Sequence, residues 1–165
     1  MDAHGYLIAL GSNVRHHRYG SPRKVLHAAI KALEHDGFEV EAFSPVVETK
    51  PLGHSRRRYA NAAALVHTSR GPDEALNALA SVERRFGRRP GGKAWSARVL
   101  DLDVILWSGG PWASDDLVVP HPAFRQRAFV LAPASRVAGL WHDPLTGLTL
   151  NQLHTRLTKP RPVRR

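Results

Sequence analysis

The amino-acid sequence predicts an α+β fold on three observations. Its patterned segments follow one another as strand, helix, strand, strand, helix, strand. The two segments with helical spacing open on prolines, Pro22 and Pro72, and close on glycines, Gly37 and Gly87. The segments between them are short, apolar or alternating, and bounded by turn residues. A β-α-β-β-α-β order describes a split βαβ, ferredoxin-like sheet with both helices on one face; a C-terminal extension follows.

The elements can be taken in order. Tyr6 to Leu10 reads as a buried strand broken by Gly11-Ser12-Asn13. Ser21 is placed as an N-cap before Pro22, and Val25, Leu26, Ala29, Ile30 and Leu33 recur at helical spacing. Phe38 to Phe43 alternates like a strand, with Val46 to Thr49 continuing it past Pro45. Pro51-Leu52-Gly53 and Arg56-Arg57-Arg58 form a loop, and Tyr59 to Thr68 is a third strand. The second helix opens at Pro72, carries Leu76, Leu79, Val82, Glu83 and Phe86, and closes at Gly87. Residues 87–97 form a basic, glycine-rich loop before an apolar strand, Val99 to Trp107. Two short helices are expected near Gln126–Val137 and Leu150–Leu157.

A chain of 165 residues, 42% apolar, is enough for one core. Residues 1–158 are read as one domain and 159–165 as a disordered basic tail. The absence of cysteine excludes a disulfide scaffold, a thiolate metal site and a cysteine nucleophile. The opening residues lack a basic leader region, and Tyr6–Leu10 is too short for a signal peptide or a membrane span, so a cytoplasmic location is expected; a monomer is expected too, although the sequence does not give the oligomeric state. Lys and Arg outnumber Asp and Glu by 24 to 14, a formal charge of +10 that draws anions. Charge alone does not choose among nucleic acid, a membrane surface and a small polyphosphate.

The chemistry concentrates in Arg98-Val99-Leu100-Asp101-Leu102-Asp103-Val104. Strand alternation points both carboxylates to one face, with Cα atoms ~6.5–7 Å apart. Two like charges in an apolar strand need a cation, and Mg²⁺ takes a few carboxylates together with phosphate oxygens. Arg88 and Arg98 bracket the preceding loop, which also holds Arg89, Lys93 and Trp95. Cations beside a carboxylate pair, under a loop able to exclude water, suit phosphoryl transfer. The plainer readings are a strand end with two solvated acids and an exposed basic loop. Gly87 to Ala94 nearly spells a phosphate-binding P-loop, but Ala94 lacks the required hydroxyl, and the segment follows a helix and opens a strand, the reverse of that motif.

These residues in this order resemble the 6-hydroxymethyl-7,8-dihydropterin pyrophosphokinase family. The resemblance runs from Ile8-Ala9-Leu10-Gly11-Ser12-Asn13 through Tyr59-Ala60-Asn61, Glu83 to Arg88, Arg98 to Asp103, Val119-Pro120-His121-Pro122 and Arg127 to Leu131, and ends near Leu157. It implies the ferredoxin-like fold, ATP as co-substrate and a reduced pterin as acceptor, with no nucleic-acid or membrane partner. Asp101 and Asp103 would be ligands of two Mg²⁺ ions, and Arg88 and Arg98 the cations on the transferring phosphates. His121, Arg127 and Glu83 would lie at the ATP site. Tyr59 and Phe129 would sandwich the pterin, Asn61 would bond its polar edge, Thr49, Pro51 and Leu52 would complete the pocket, and Trp95 would close over it. Without the resemblance, the two aromatics read as core, Asn61 as a satisfied core amide and His121 as a turn histidine. The chain departs from the family pattern at Ser96 and Ala97, at Pro90, at Lys50 and in the longer loop holding His16 and His17.

An RNA-binding module on a similar sheet is the main alternative. Its aromatic strand motif is missing, and Arg127-Ala128-Phe129-Val130 matches it only in passing. A catalytically inactive relative is the other, against which both aspartates and both arginines stand.

Overall fold

The computed structural model describes residues 3–49, 58–88 and 98–163. In chain order the elements are β1 (His4–Ser12), α1 (Pro22–His35), β2 (Glu39–Phe43), β3 (Val47–Thr49), β4 (Tyr59–Thr68), α2 (Pro72–Arg85), β5 (Asp101–Trp107), β6 (Trp112–Ala113), β7 (Val118–Val119), a 3₁₀ turn (Phe124–Gln126), α3 (Ala128–Ala138) and α4 (Leu150–Thr158).

The main sheet runs β2-β4-β1-β5, with β3 also paired to β4, and every pairing is antiparallel. β1 is the axis. It pairs along its whole length with β4, from His4 opposite Thr68 to Ser12 opposite Ala60, and with β5 up to Gly11 opposite Asp101. Period-two alternation then sorts its side chains. Tyr6, Ile8 and Leu10 join Ala62, Ala64, Leu102 and Val104 under α1 and α2. Leu7 joins Ala63 and Ile105 under Phe124 of the 3₁₀ turn, Val130 and Leu131 of α3 and Leu150 and Leu153 of α4. The sheet is therefore covered on both faces, which is why its central strands read as nearly unbroken apolar runs. α1 and α2 share one face as the element order predicts, and the C-terminal helices take the other.

The helix signals act as read. Ser21 Oγ accepts from the Lys24 amide, at 3.5 Å, ahead of Pro22. α2 places Asp73 and Glu74 in its first turn and Arg84 and Arg85 in its last, each complementing the helix dipole. Beyond α2, the Gly87 amide donates to the Arg84 carbonyl and the Arg88 amide to the Glu83 carbonyl. This Schellman turn requires the positive φ of 99° that Gly87 supplies.

Several boundaries differ from the sequence reading. β1 runs on through Gly11 to Ser12, residues expected to break it, because both neighbouring strands continue the ladder there, and α3 starts at Ala128 rather than Gln126. The segment expected to continue past Pro45 is two strands, β2 and β3, because proline brings no amide to the ladder. At that break the Ser44 amide donates to the Ala63 carbonyl and the Ser44 hydroxyl accepts from the Ala63 amide, both at 2.9 Å. The acidic strand starts at Asp101 rather than Val99. The β6–β7 hairpin has strands of two residues, too short to show a period. The α3–α4 connection is tied by Asp143, fully buried, which accepts from Arg125 at 2.6 and 2.8 Å and from Thr146 and the Leu145 amide. No helix among the described residues is long and apolar enough to cross a membrane.

Candidate active site

The face under α3 loses its apolar cover at one end of the sheet. There Gly11 lies across from Asn61 of β4 on one side and Asp101 of β5 on the other. A Cβ at Gly11 would stand 3.4 Å from Asn61 Oδ1 and 4.0 Å from Asp101 Cβ. The glycine leaves bare backbone between an amide and a carboxylate. Alternation puts Tyr59 and Asp103 on this same face.

Asp101 is not the isolated anion that the strand pattern suggests. Its Oδ1 accepts from Arg88 at 2.8 Å and from Arg98 at 2.9 Å. The cation that the pair needs is thus supplied in part by the protein, since the α2 turn and the segment entering β5 converge on one carboxylate. Glu83, buried on the last turn of α2, accepts from the Arg88 guanidinium and from the Leu102 amide at 3.1 Å. Leu102 pairs inward with β1, so Glu83 caps the outer edge of β5 and holds Arg88 with the same carboxylate. Burial raises the Glu83 acid above its ordinary range, and the Leu102 amide and Arg88 draw it back.

Asp103 differs. Among the described residues no side chain or amide donates a hydrogen bond to it. It is exposed, yet partial loss of water, the largest cause, raises its acid, with nearby His121 opposing the shift. His121 is tied to β5 through its amide and the Ile105 carbonyl, at 3.1 Å. The Ala123 amide donates to His121 Nδ1 at 3.2 Å, which assigns the proton of the neutral ring to Nε2. Burial lowers the His121 pKa, against a pull upward from Asp103.

Beside this cluster lies a pocket of about 340 Å³ between β3, β4 and the first turns of α3, lined by Val47, Thr49, Asn61, Ala128, Phe129, Ala132 and Pro133. Phe129 is 48% exposed, an unusual state for a phenylalanine in an apolar helix, and the Arg127 guanidinium stands 5.7 Å from its ring centroid. Thr49, Asn61 and Phe129, expected together around a pterin, do meet here. Tyr59 pairs with Thr49 across β3–β4 and is half-buried, but it does not line this pocket. Phe129 sits on a helix, not a strand, which removes the aromatic platform of the RNA-binding alternative. Lys50, Pro51, Leu52, Arg89, Pro90, Lys93, Trp95, Ser96 and Ala97 lie outside the described residues, as does the P-loop-like run beyond Arg88. The flanks of that run, α2 before and β5 after, are the reverse of a P-loop's.

The role of one residue of the site escapes sequence reasoning. Asn13, buried just past β1, donates its amide to the Arg98 carbonyl at 3.0 Å, and its Oδ1 accepts from the Arg98 amide at 2.7 Å. In the sequence it ends the Ile8–Asn13 stretch on which the resemblance opens, with no role assigned to it.

The antiparallel sheet thus sets paired carboxylates and paired arginines beside a pocket that the amide of Asn61 helps to line. The family model described as 7,8-dihydro-6-hydroxymethylpterin-pyrophosphokinase (HPPK) matches residues 7–139, and the chain belongs to that family. Pyrophosphoryl transfer from ATP to hydroxymethyldihydropterin, in folate synthesis, is the activity that membership carries. A 2-amino-4-hydroxy-6-hydroxymethyldihydropteridine pyrophosphokinase of Synechocystis sp. is 34% identical over 91% of this chain and 74% of its own length. The Bacillus subtilis protein of the same name is 31% identical over 92% and 89%. A folate synthesis bifunctional protein of Arabidopsis thaliana is 34% identical, and the match spans 27% of its length. The Plasmodium falciparum HPPK-DHPS crystal structure with pteroate superposes with a TM-score of 0.74 over 94% of this chain and 44% of that one, at 10% identity, a likeness of fold.

Proposed function

We propose that the transfer runs on the open face of the sheet, with the phosphate chain over Asp101 and Asp103 and the pterin in the pocket floored by Asn61. The observation that carries this reading is the convergence of Arg88 and Arg98 on Asp101, two strands from Asn61. The strand order β2-β4-β1-β5, with α1 and α2 on one face, supports the ferredoxin-like form of the fold.

The new bond joins the hydroxymethyl oxygen to the β-phosphorus of ATP. The bond from that phosphorus to the oxygen shared with the α-phosphorus breaks, its electron pair leaves on AMP, and the hydroxyl proton passes to solvent. Arg88 and Arg98 exchange part of their grip on Asp101 for the transferring oxygens, and Arg127 and His121, through Nε2–H, donate to the same chain. Phe129 and Tyr59 hold the ring, Asn61 and the backbone of Thr49, Pro51 and Leu52 bond its edge, and Trp95 covers it. Glu83 acts on ATP through Arg88. The donors suit Mg²⁺: two carboxylates on alternate residues of one strand, one of them taking no donor from the described protein. Two Mg²⁺ ions held by Asp101 and Asp103 would offset the charge on the phosphate oxygens.

AMP release from ATP and the reduced pterin is the test. Asp101→Asn and Asp103→Asn should each fall close to background with the fold intact, and near-normal turnover in both would sink the metal assignment. Arg98→Ala should lose roughly 10³–10⁵ in the single-turnover rate with little change in pterin affinity.

A further inference from the structure

We infer that Asn13 is a positioning residue of the transfer: it fixes the backbone of Arg98 so that the guanidinium starts from a set point beside Asp101. This rests on the role proposed for Arg98.

The geometry is a two-bond ring. The last β1–β5 pair is Gly11 with Asp101. One more step of regular ladder would carry Asn13 toward Val99, but the chain bends there and brings in Arg98 instead. The Asn13 amide finds the Arg98 carbonyl at 3.0 Å. The Arg98 amide has no strand carbonyl opposite it and takes Asn13 Oδ1, at 2.7 Å. The side chain stands in for a backbone acceptor, as short amide side chains do at turns. The ring is nearly closed to water, since Asn13 is buried, and an amide stripped of its partner there is costly.

The ring also matters for reach. Arg98 lies three residues before Asp101, and its guanidinium stands 2.9 Å from Asp101 Oδ1. Arg88 has its own holder in Glu83. Asn13 gives Arg98 the equivalent, from the central strand, so both cations are referred to the rigid sheet. A misplacement of about 1 Å can cost about 10²-fold in rate.

The experiment is a double-mutant cycle read by single-turnover AMP release, with nucleotide affinity measured beside it. Asn13→Ala should lower the chemical step about 10- to 100-fold and leave ATP affinity within a few-fold. Asn13→Asp, which keeps the Oδ1 acceptor, should recover most of that loss. In an Arg98→Ala background Asn13→Ala should add nothing further, because its effect passes through Arg98. A full additional loss in that background, or a loss of ATP affinity with the rate preserved, overturns the inference. If Asn13→Ala does not fold, amide exchange at Arg98 in Asn13→Asp against wild type decides it: protection kept supports the ring, protection lost refutes it. If wild-type protein releases no AMP with the reduced pterin, the assignment of Arg98 falls instead, and Arg98 amide protection still reports on the ring.

Discussion

Asp101 and Asp103 sit two residues apart on one strand and face the same way, yet their surroundings make opposite predictions. Asp101 lies between two guanidiniums, so Asp101→Asn leaves Arg88 and Arg98 facing each other across a neutral amide. All three side chains are about a third exposed, so the loss of thermal stability without divalent cation should be modest, about 1 kcal/mol. Asp103 takes no donor among the described residues and loses part of its water without gaining a partner, so Asp103→Asn should leave stability unchanged or raise it. Thermal unfolding of both variants in a chelator checks the order, and an Asp103→Asn protein less stable than Asp101→Asn refutes it. Much of this scale is legible in the sequence. Alternation in Asp101-Leu102-Asp103 is enough to aim both carboxylates, and the arginines flank them in the chain. Gly11 and Asn13 are not legible, because what they do depends on neighbours one strand away, and spacing along a chain carries no cross-strand register.

Among the elements, the turn after α2 connects helix geometry to the site. Gly87 holds a φ of 99° with open space where a side chain would go. Gly87→Ala therefore costs only backbone strain, about 1–2 kcal/mol, but it turns Arg88 away from Glu83 and Asp101. Its expected signature is a small fall in melting temperature with a disproportionate fall in the single-turnover rate; a rate that follows stability alone would count against it. At the far end of the molecule the α3–α4 connection depends on Asp143, whose pKa is lowered to about 2; burial pushes it up, but the bonds from Arg125, Thr146 and the Leu145 amide outweigh this. An acid held below its unfolded value of about 3.9 stabilises the fold above that pH and loses the contribution as pH falls toward 2. Asp143→Asn should thus be less stable than wild type at neutral pH by roughly 2 kcal/mol, with the gap closing between about pH 4 and pH 2. Denaturant melts across that range measure it, and a gap constant with pH argues against the assignment. The helices and β4 are legible because caps, prolines and period agree over ten or more residues. The split at Pro45 is half legible: proline announces a break but not that Ser44 mends the ladder. The two-residue strands leave no pattern to read.

At the scale of the whole molecule, the element order predicts the sheet and the side that α1 and α2 occupy, and leaves open where the C-terminal helices go. Their apolar faces fit either side; Leu7, Ala63 and Ile105, buried on strands already covered once, require a second layer. That layer stops short of Gly11, and the gap is where the chemistry is placed. The sheet also acts as a gauge. Neighbouring strands stand about 4.8 Å apart, so Asn61 and Asp101, with only Gly11 between them, are held about 10 Å apart by the hydrogen-bond ladder. No loop movement alters that interval. On the proposed reading it separates the anchor of the ring from the anchor of the phosphates, and an acceptor must then bridge it with its own hydroxyl-bearing arm. A pterin lengthened by one methylene in that arm should bind with ordinary affinity and react far more slowly, its oxygen carried past the phosphorus. Equal single-turnover rates for the two acceptors would mean that something softer than a β-sheet sets the distance.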